Sequence, residues 1–264
     1  MDDTTSELVD LLRRRAELLA SLRKGPWEKR DLVEAHDLPR STLDRAIREL
    51  EAADLVAYAD GAYALTAFGE HLVHEFSEFV DRAELAVELE PFLRWTTPEA
   101  FDLDLRTLAD AEVWTPEPGD PWAMVNRHVR ALETADRVRG VLPLVGLHAV
   151  EAVHERVTED DADHRFVVDA NAAGTLRTDE NYLPLFRDLQ ARPDPTFLRY
   201  EDDPVPYFVG VFDDEFVQIG VDDDGDPKAL LESDAEEVLA WAHDRIDRYR
   251  RRADPVPATD AADD

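Results

Sequence analysis

The chain has 264 residues, 44% of them hydrophobic, with 61 acidic against 29 basic residues, a formal net charge of −32 and no cysteine. Such a length accommodates two domains, the apolar share supports a buried core, and the lack of cysteine excludes disulfides and thiolate metal sites. Apolar runs of about 18 residues, as a membrane-spanning helix needs, do not occur, and the opening MDDTTSELVD is acidic and polar, so a cytoplasmic protein with no membrane partner is expected.

Only three of the basic residues are lysines (Lys24, Lys29 and Lys228); the other 26 are arginines. Dense carboxylates with scarce lysine resemble the composition of proteins from salt-in halophiles. There a carboxylate surface holds hydrated cations, and molar salt screens its self-repulsion. A haloarchaeal source is therefore expected. The charge is unevenly spread: residues 1–70 carry 10 basic and 15 acidic residues, and between Arg23 and Arg48 the balance turns positive, seven to five. Phosphate contacts need lysine and arginine, so this local balance matters more for nucleic-acid binding than the total.

In chain order, residues 6–23 repeat leucines at helical spacing with Ser6 as the cap, and Gly25-Pro26 ends that helix. Residues 27–36 form a second short helix. Asp37-Leu38-Pro39 is a turn, because the proline disfavours helix at Leu38. A third helix spans 40–53, where Ser41 stands three before Asp44 in a capping-box-like start. Leu43, Ala46, Ile47 and Leu50 share one face of it. A step of about 100° per residue puts Ser41, Arg45 and Arg48 on the opposite face. Strands at 55–58 and 62–65 follow, joined through Asp60-Gly61, a pair suited to a tight hairpin turn. Helix, helix, turn, helix and hairpin within residues 1–70 is the order of a winged helix-turn-helix DNA-binding domain.

A long helix then runs from Thr66 to Trp95, with residues 71–95 as connector and dimerisation segment. Its Leu72, Phe76, Phe79, Val80, Ala83 and Val87 form one apolar stripe, which predicts a homodimer. From 96 to 253 short strands alternate with helices and close in a β-meander. Strands are expected at 111–116, 137–145, 164–169, 196–201, 207–213, 215–222 and 228–233, and helices at 122–135, 147–157, 181–191 and 235–252. This is an α/β sensor or regulatory domain on a mixed sheet, making the whole chain α+β / α/β. Residues 254–264, DPVPATDAADD, read as a disordered tail.

Both halves carry a resemblance. GPWEKRDLVEAHDLPRSTLDRAIRELEAADLV and ALTAFGE in the first half, with ADRVRGVLPLV, HERV, PYFVGVFD and SDAEEVLAWAHDRIDRYR in the second, resemble haloarchaeal winged-helix transcriptional regulators. The C-terminal region of those regulators is similar to the middle domain of methanogenesis regulatory proteins. The resemblance covers nearly the whole chain. It implies a cytoplasmic regulator of promoter DNA, a homodimer, with a C-terminal domain for sensing or assembly. Two departures stand out: the wing YADGAYA carries no basic residue, and Asp44 and Glu49 temper the field of the third helix.

For double-stranded promoter DNA as partner, Arg45 and Arg48 are the candidates to reach guanine edges or phosphates in the major groove. Ser41 and Thr42, at the helix start, would bond phosphate or base. Arg40, Lys29 and Arg30 would position the protein on phosphates without specifying sequence. The plainer alternative is a set of solvated arginines or internal ion pairs, since Asp44 and Arg48 are at i, i+4. A small-molecule effector is expected in the C-terminal domain. Val145-Gly146-Leu147-His148, at the C-terminal end of a strand, are the pocket candidates.

No enzyme, catalytic residue, cofactor or metal is expected. The nucleotide-binding and nucleophile-elbow glycine motifs are absent. The related regulators' C-terminal domain is reminiscent of phospholipase-D-like folds, whose chemistry needs a His-x-Lys pair, and no lysine here has a histidine two before it. His71 with His74, and His148, Glu151 and His154, lack companion ligands, and Asp222–Asp226 reads as an acidic hairpin tip rather than a calcium loop. The competing function is a winged-helix protein–protein module that does not bind DNA, suggested by the uncharged wing and the net charge.

Overall fold

The computed structural model describes residues 2–200 and 204–256 of an α+β chain. It divides into two compact units, residues 1–84 and 85–264. The first holds α1 (Asp3–Arg14), α2 (Ala16–Leu22), α3 (Lys29–Ala35), α4 (Arg40–Ala52), the hairpin β1 (Val56–Ala59) and β2 (Ala62–Leu65), and most of α5 (Ala67–Glu88). Its core joins the helical apolar positions Leu12, Leu19, Leu32, Leu43, Ile47 and Leu50 with Leu55 from the loop before the hairpin, all buried together. Full burial of each such side chain stabilises by about 1.5–3 kcal/mol.

Several local expectations are corrected. The helix expected at 6–23 starts earlier, because Asp2, not Ser6, is the cap: its carboxylate accepts the Thr5 N–H at 2.7 Å. It also breaks at Arg15, whose backbone (φ −115°, ψ 15°) leaves the helical region. Trp27 does not begin a helix. Its N–H donates to Tyr63 O at 2.9 Å and its carbonyl accepts Tyr63 N–H at 2.8 Å, so it adds a third backbone to the hairpin edge. Its indole donates to Ser21 O at 2.9 Å.

Both α3 and α4 end on an aspartate in the left-handed region, Asp37 (φ 47°) and Asp54 (φ 55°). The next residues reach back, Leu38 N–H to Val33 O at 3.3 Å and Leu55 N–H to Leu50 O at 3.0 Å. Glycine usually fills such a position; aspartate tolerates it because its short polar side chain bonds locally. Among the described residues every non-glycine residue at positive φ is an aspartate. Acidic composition and helix termination are thus served by the same residues. Asp60 (φ 52°) and Gly61 (φ 86°) make the β1–β2 turn, as their sequence predicts.

Entry into α5 is fixed by Thr66, whose hydroxyl accepts Gly69 N–H at 2.9 Å and donates to Asp54 O at 2.5 Å. Gly69 lies so close to the preceding loop that a Cβ there would stand 2.0 Å from Leu55 O. The helix expected to run on to Trp95 stops at Glu88, and a short α6 (Glu90–Leu93) restarts after Leu89. Pro91 in the first turn of α6 has no N–H to continue α5.

The second unit is built on one eight-stranded sheet, ordered β10-β6-β5-β4-β7-β8-β9-β3. The strands are β3 (Glu112–Trp114), β4 (Arg137–Leu142), β5 (Asp163–Val168), β6 (Phe197–Arg199), β7 (Phe208–Phe212), β8 (Phe216–Asp223), β9 (Asp226–Ser233) and β10 (Asp254–Pro255). β4, β5 and β6 are parallel; β7, β8 and β9 form an antiparallel meander. One face packs on α11 (Glu236–Arg250) through Val238, Ala242 and Ile246. The other carries α7 (Ala123–Thr134), α8 (Leu147–Glu159), α9 (Ala170–Thr178) and α10 (Leu183–Gln190).

Two elements of this unit were not read from the sequence. α9 is small-residue-rich and contains Gly174; its signal is Asp169, which accepts Ala172 N–H at 2.8 Å as the cap. The composition predicts a disordered tail from residue 254, yet residues 254–256 form an edge. β10 pairs with β6, Val256 is buried, and the Gln190 amide donates to Val256 O at 2.9 Å while its carbonyl accepts Phe197 N–H at 2.9 Å. Burial of one valine and a side-chain clasp outweigh the polar composition there. The remainder of that tail, 257–264, and residue 201 of the expected strand 196–201, lie outside the described residues. Among the described residues no helix is long and apolar enough to cross a membrane.

Gly69→Ala should destabilise the protein by about 1–3 kcal/mol, because backbone must move to admit the methyl group. Gly174→Ala, in a helix with open space around it, should stabilise by about 0.5–1 kcal/mol. Chemical denaturation of the two variants beside the wild type checks the opposite signs.

Candidate nucleic-acid interface and an apolar cavity

α4 displays most of the residues expected to meet DNA. Leu43, Ala46, Ile47 and Leu50 are buried, while Arg40, Ser41, Thr42, Arg45 and Arg48 are exposed. The cap differs from expectation. The helix begins at Arg40 with Pro39 at the cap position and no side-chain cap, so Ser41 stands inside the first turn. The proline's fixed φ (−56°) starts the helix before the serine can act as cap. Pro39 O accepts Thr42 N–H at 2.9 Å and Leu43 N–H at 3.1 Å, and the Ser41 and Thr42 hydroxyls stay at the surface beside the positive end of the helix dipole.

Two of the three acidic residues of α4, Asp44 and Glu49, are neutralised within the unit, while Glu51 in its last turn is exposed. Glu49 sits between two guanidinium groups: Arg15 Nη2 at 2.7 Å from Oε2, and Arg45 Nε at 3.0 Å from Oε1. Arg15, then Arg45, hold the Glu49 carboxyl below its ordinary range through these hydrogen bonds. Arg15 is the residue at the α1–α2 break, so the break serves to deliver it to α4. Asp44 is paired with Lys29 of α3, and this pairing pushes the Lys29 ammonium up from its ordinary value. The sequence spacing suggested an Asp44–Arg48 ion pair instead. Arg48 Nε donates to the Asp44 backbone carbonyl at 3.1 Å, leaving the carboxylate to Lys29.

The candidates therefore separate. Among the described residues Arg40 and Arg48 meet no carboxylate. Arg45 shares Glu49 with Arg15, and an exposed i, i+4 pair of this kind is worth about 0.3–0.5 kcal/mol, little enough to exchange for phosphate. Arg30 is exposed and paired with Asp31 at 3.3 Å. Lys29 is engaged in joining α3 to α4. Arg15 was missed by sequence reasoning, because 34 residues separate it from Glu49 and no local pattern links them. On the hairpin, Tyr58 is exposed and its ring lies 4.9 Å from that of Tyr63.

The apolar stripe of α5 divides along the helix. Val73 is buried in the first unit's core and Leu72 and Phe76 pack against it, whereas Phe79 and Val87 are 65% and 74% exposed.

In the second unit a cavity of about 490 Å³ lies between α7, α8 and the sheet. Val145 and Gly146, two of the four pocket candidates, line it; Leu147 and His148 do not. His128 of α7 and the β8–β9 hairpin line it too, and neither carries a motif that would have marked it. The Phe208 ring fits over the sheet because Gly210 and Gly220 lack side chains; a Cβ at Gly210 would stand 2.6 Å from Phe208 Cζ. The histidine sets weighed for metal are not assembled: His148 Nδ1 pairs with Glu151 at 2.9 Å, while His154 Nε2 turns to Asp188 at 3.2 Å. Among the described residues no three His, Asp or Glu side chains are grouped to hold a metal ion.

These two units, a helical core with a hairpin and a helix-flanked mixed sheet, define a two-part α+β protein whose second part is matched by a known family. Residues 121–252, half of the chain, match the family model of the methanogenesis regulatory protein FilR1 middle domain, and the chain belongs to that family. Residues 3–88 match the model of the HVO_A0261 N-terminal domain. No curated protein sequence matches. Among solved structures, the archaeal chromatin protein TrmBL2 is similar at 14% identity and TM-score 0.40, over 95% of this chain and 99% of that one. NucT from Helicobacter pylori is similar at 11% identity and TM-score 0.43, over 55% of this chain and 98% of its own. Quinone-bound YodB from B. subtilis is similar at 24% identity and TM-score 0.30, over 32% and 98%.

Glu49 gives a pH test of the α4 anchorage. Its folded pKa is depressed below 4.5, so its stabilising effect is full above that value and is lost as pH falls through the lower folded pKa. Glu49→Gln should therefore be less stable than the wild type at pH 7, with the gap closing below pH 4.5. Denaturation at both pH values reads the difference.

Proposed function

We propose that the chain is a DNA-binding transcriptional regulator whose first unit is a winged helix-turn-helix, with α4 as the recognition helix. The observation that carries this reading is the exposed face of α4. Arg40, Ser41, Thr42, Arg45 and Arg48 stand outward, while both of its core-flanking acids, Asp44 and Glu49, are paired to cations. The family match, to a protein named as a methanogenesis regulator, supports a regulatory role. Arg48 and Arg45 read base edges or phosphates; Arg40, Ser41 and Thr42 grip phosphate; Arg30 adds a flanking phosphate contact. Lys29 contributes through Asp44, setting the α3–α4 angle. The reading assigns no catalytic residue.

The protein acts as a homodimer through the exposed end of the α5 stripe. Phe79 and Val87 are large apolar side chains left facing outward, eight residues apart on one helix, and a second copy would cover them. A two-fold dimer also suits paired half-sites. The composition, with three lysines against 61 carboxylates, suits a halophilic archaeon and sets molar KCl as the working solvent. A protein–protein module is the second reading, favoured by the wing, which offers Tyr58 and no cation.

Arg48→Ala and Arg45→Ala should each weaken binding to the promoter DNA by about 1–3 kcal/mol, roughly five- to 150-fold, with the melting curve unchanged for Arg48→Ala and only slightly lowered for Arg45→Ala, which gives up its pair with Glu49. Fluorescence anisotropy in molar KCl measures this; unchanged affinity in both would remove these arginines from the interface. Light scattering of the wild type should give twice the chain's mass, and Phe79→Glu with Val87→Glu should give one.

A further inference from the structure

The cavity of the second unit is far larger than the voids that close packing leaves in protein interiors, and its volume of about 490 Å³ lies in the range of small-molecule sites. Its walls are apolar, with Leu132, Val150, Phe208 and Leu230 among them. Exposed Trp122 and Asp224 mark where it opens. No lysine or arginine lines it, and the acidic β8–β9 hairpin forms part of its rim. An anion would find no counter-charge there.

One polar group inside is oriented by a chain of hydrogen bonds. Arg127 Nε donates to Glu232 Oε2 at 3.0 Å. Fully buried Gln218 points its Nε2 to the same carboxylate at 2.9 Å and its Oε1 to His128 Nδ1 at 2.9 Å. A carboxylate only accepts, so the Gln218 NH₂ must face Glu232 and its carbonyl must face the imidazole. The carbonyl only accepts, so His128 Nδ1 carries the hydrogen. Burial pushes the His128 imidazole below its ordinary pKa, keeping the ring neutral. Nε2 is then a lone-pair acceptor, and it is the ring's remaining polar atom in a residue that lines the cavity.

We propose that this cavity binds an uncharged, largely apolar small molecule that donates one hydrogen bond, from a hydroxyl or N–H group, to Nε2 of His128. The ring edges of Phe208 and His128, 4.7 Å apart between centroids, suit a flat aromatic or unsaturated ligand beside them. Binding here does not rest on the DNA-reading assignment, and its test uses no DNA.

Calorimetric titration of the full-length protein with 2-naphthol, naphthalene and 2-naphthoate separates the terms. 2-Naphthol should bind about fivefold tighter than naphthalene, as one neutral hydrogen bond allows, and 2-naphthoate should bind weakest. His128→Phe should reduce 2-naphthol to the level of naphthalene. Ala149→Phe, which fills the cavity from α8 without touching the hydrogen-bond chain, should abolish binding of both. Absence of naphthol binding by the wild type, equal affinity for naphthol and naphthalene, tightest binding of the naphthoate, or full binding by Ala149→Phe would each overturn the proposal.

Discussion

Glu49 lies between Arg15 and Arg45, and much of the first unit is arranged around that contact. Arg15 reaches it because α1 and α2 do not run on as one helix. The pairing holds the C-terminal half of α4 to the α1–α2 break, while Lys29 on Asp44 holds its N-terminal half to α3. Two carboxylates that would oppose a polyanion are thereby turned to internal use. Around Arg45 and Arg48 the outward face of α4 carries the Ser41 and Thr42 hydroxyls and guanidinium groups, with Glu51 exposed near its end, in a chain of net charge −32. An acidic protein can present a basic surface when its acids near that surface already have partners.

The same economy appears in the backbone. Aspartates end α3 and α4 and turn the β1–β2, β7–β8 and β8–β9 hairpins, taking left-handed positions that glycine usually fills.

How much was legible in the sequence depended on whether the cause was local. The core face of α4, the Asp60-Gly61 turn, and the strands and helices from 137 to 250 other than α9 follow from periodicity and turn chemistry, which act within a few residues. The elements that were missed depend on distant partners. Trp27 joins the hairpin through Tyr63, Arg15 crosses 34 residues to Glu49, and residues 254–256 are held by Gln190 and Phe197. Ser6 and Ser41 were reasonable caps by composition, but Asp2 and Pro39 start those helices sooner. α9 was hidden by its alanines and Gly174, which give no apolar stripe. In the proposed effector unit, Val145 and Gly146 could be placed at a strand end, whereas His128 became visible only when Gln218, 90 residues away, was found beside it.

The proposed reading of α4 as a recognition helix meets its most direct test in fluorescence anisotropy of the full-length protein, in molar KCl, with labelled DNA from its own upstream region and a scrambled duplex as competitor. The account predicts that the upstream duplex holds the protein while the scrambled one fails to displace it. Equal displacement by both duplexes, or no binding to either, would contradict it and leave α4 as a helix that only packs.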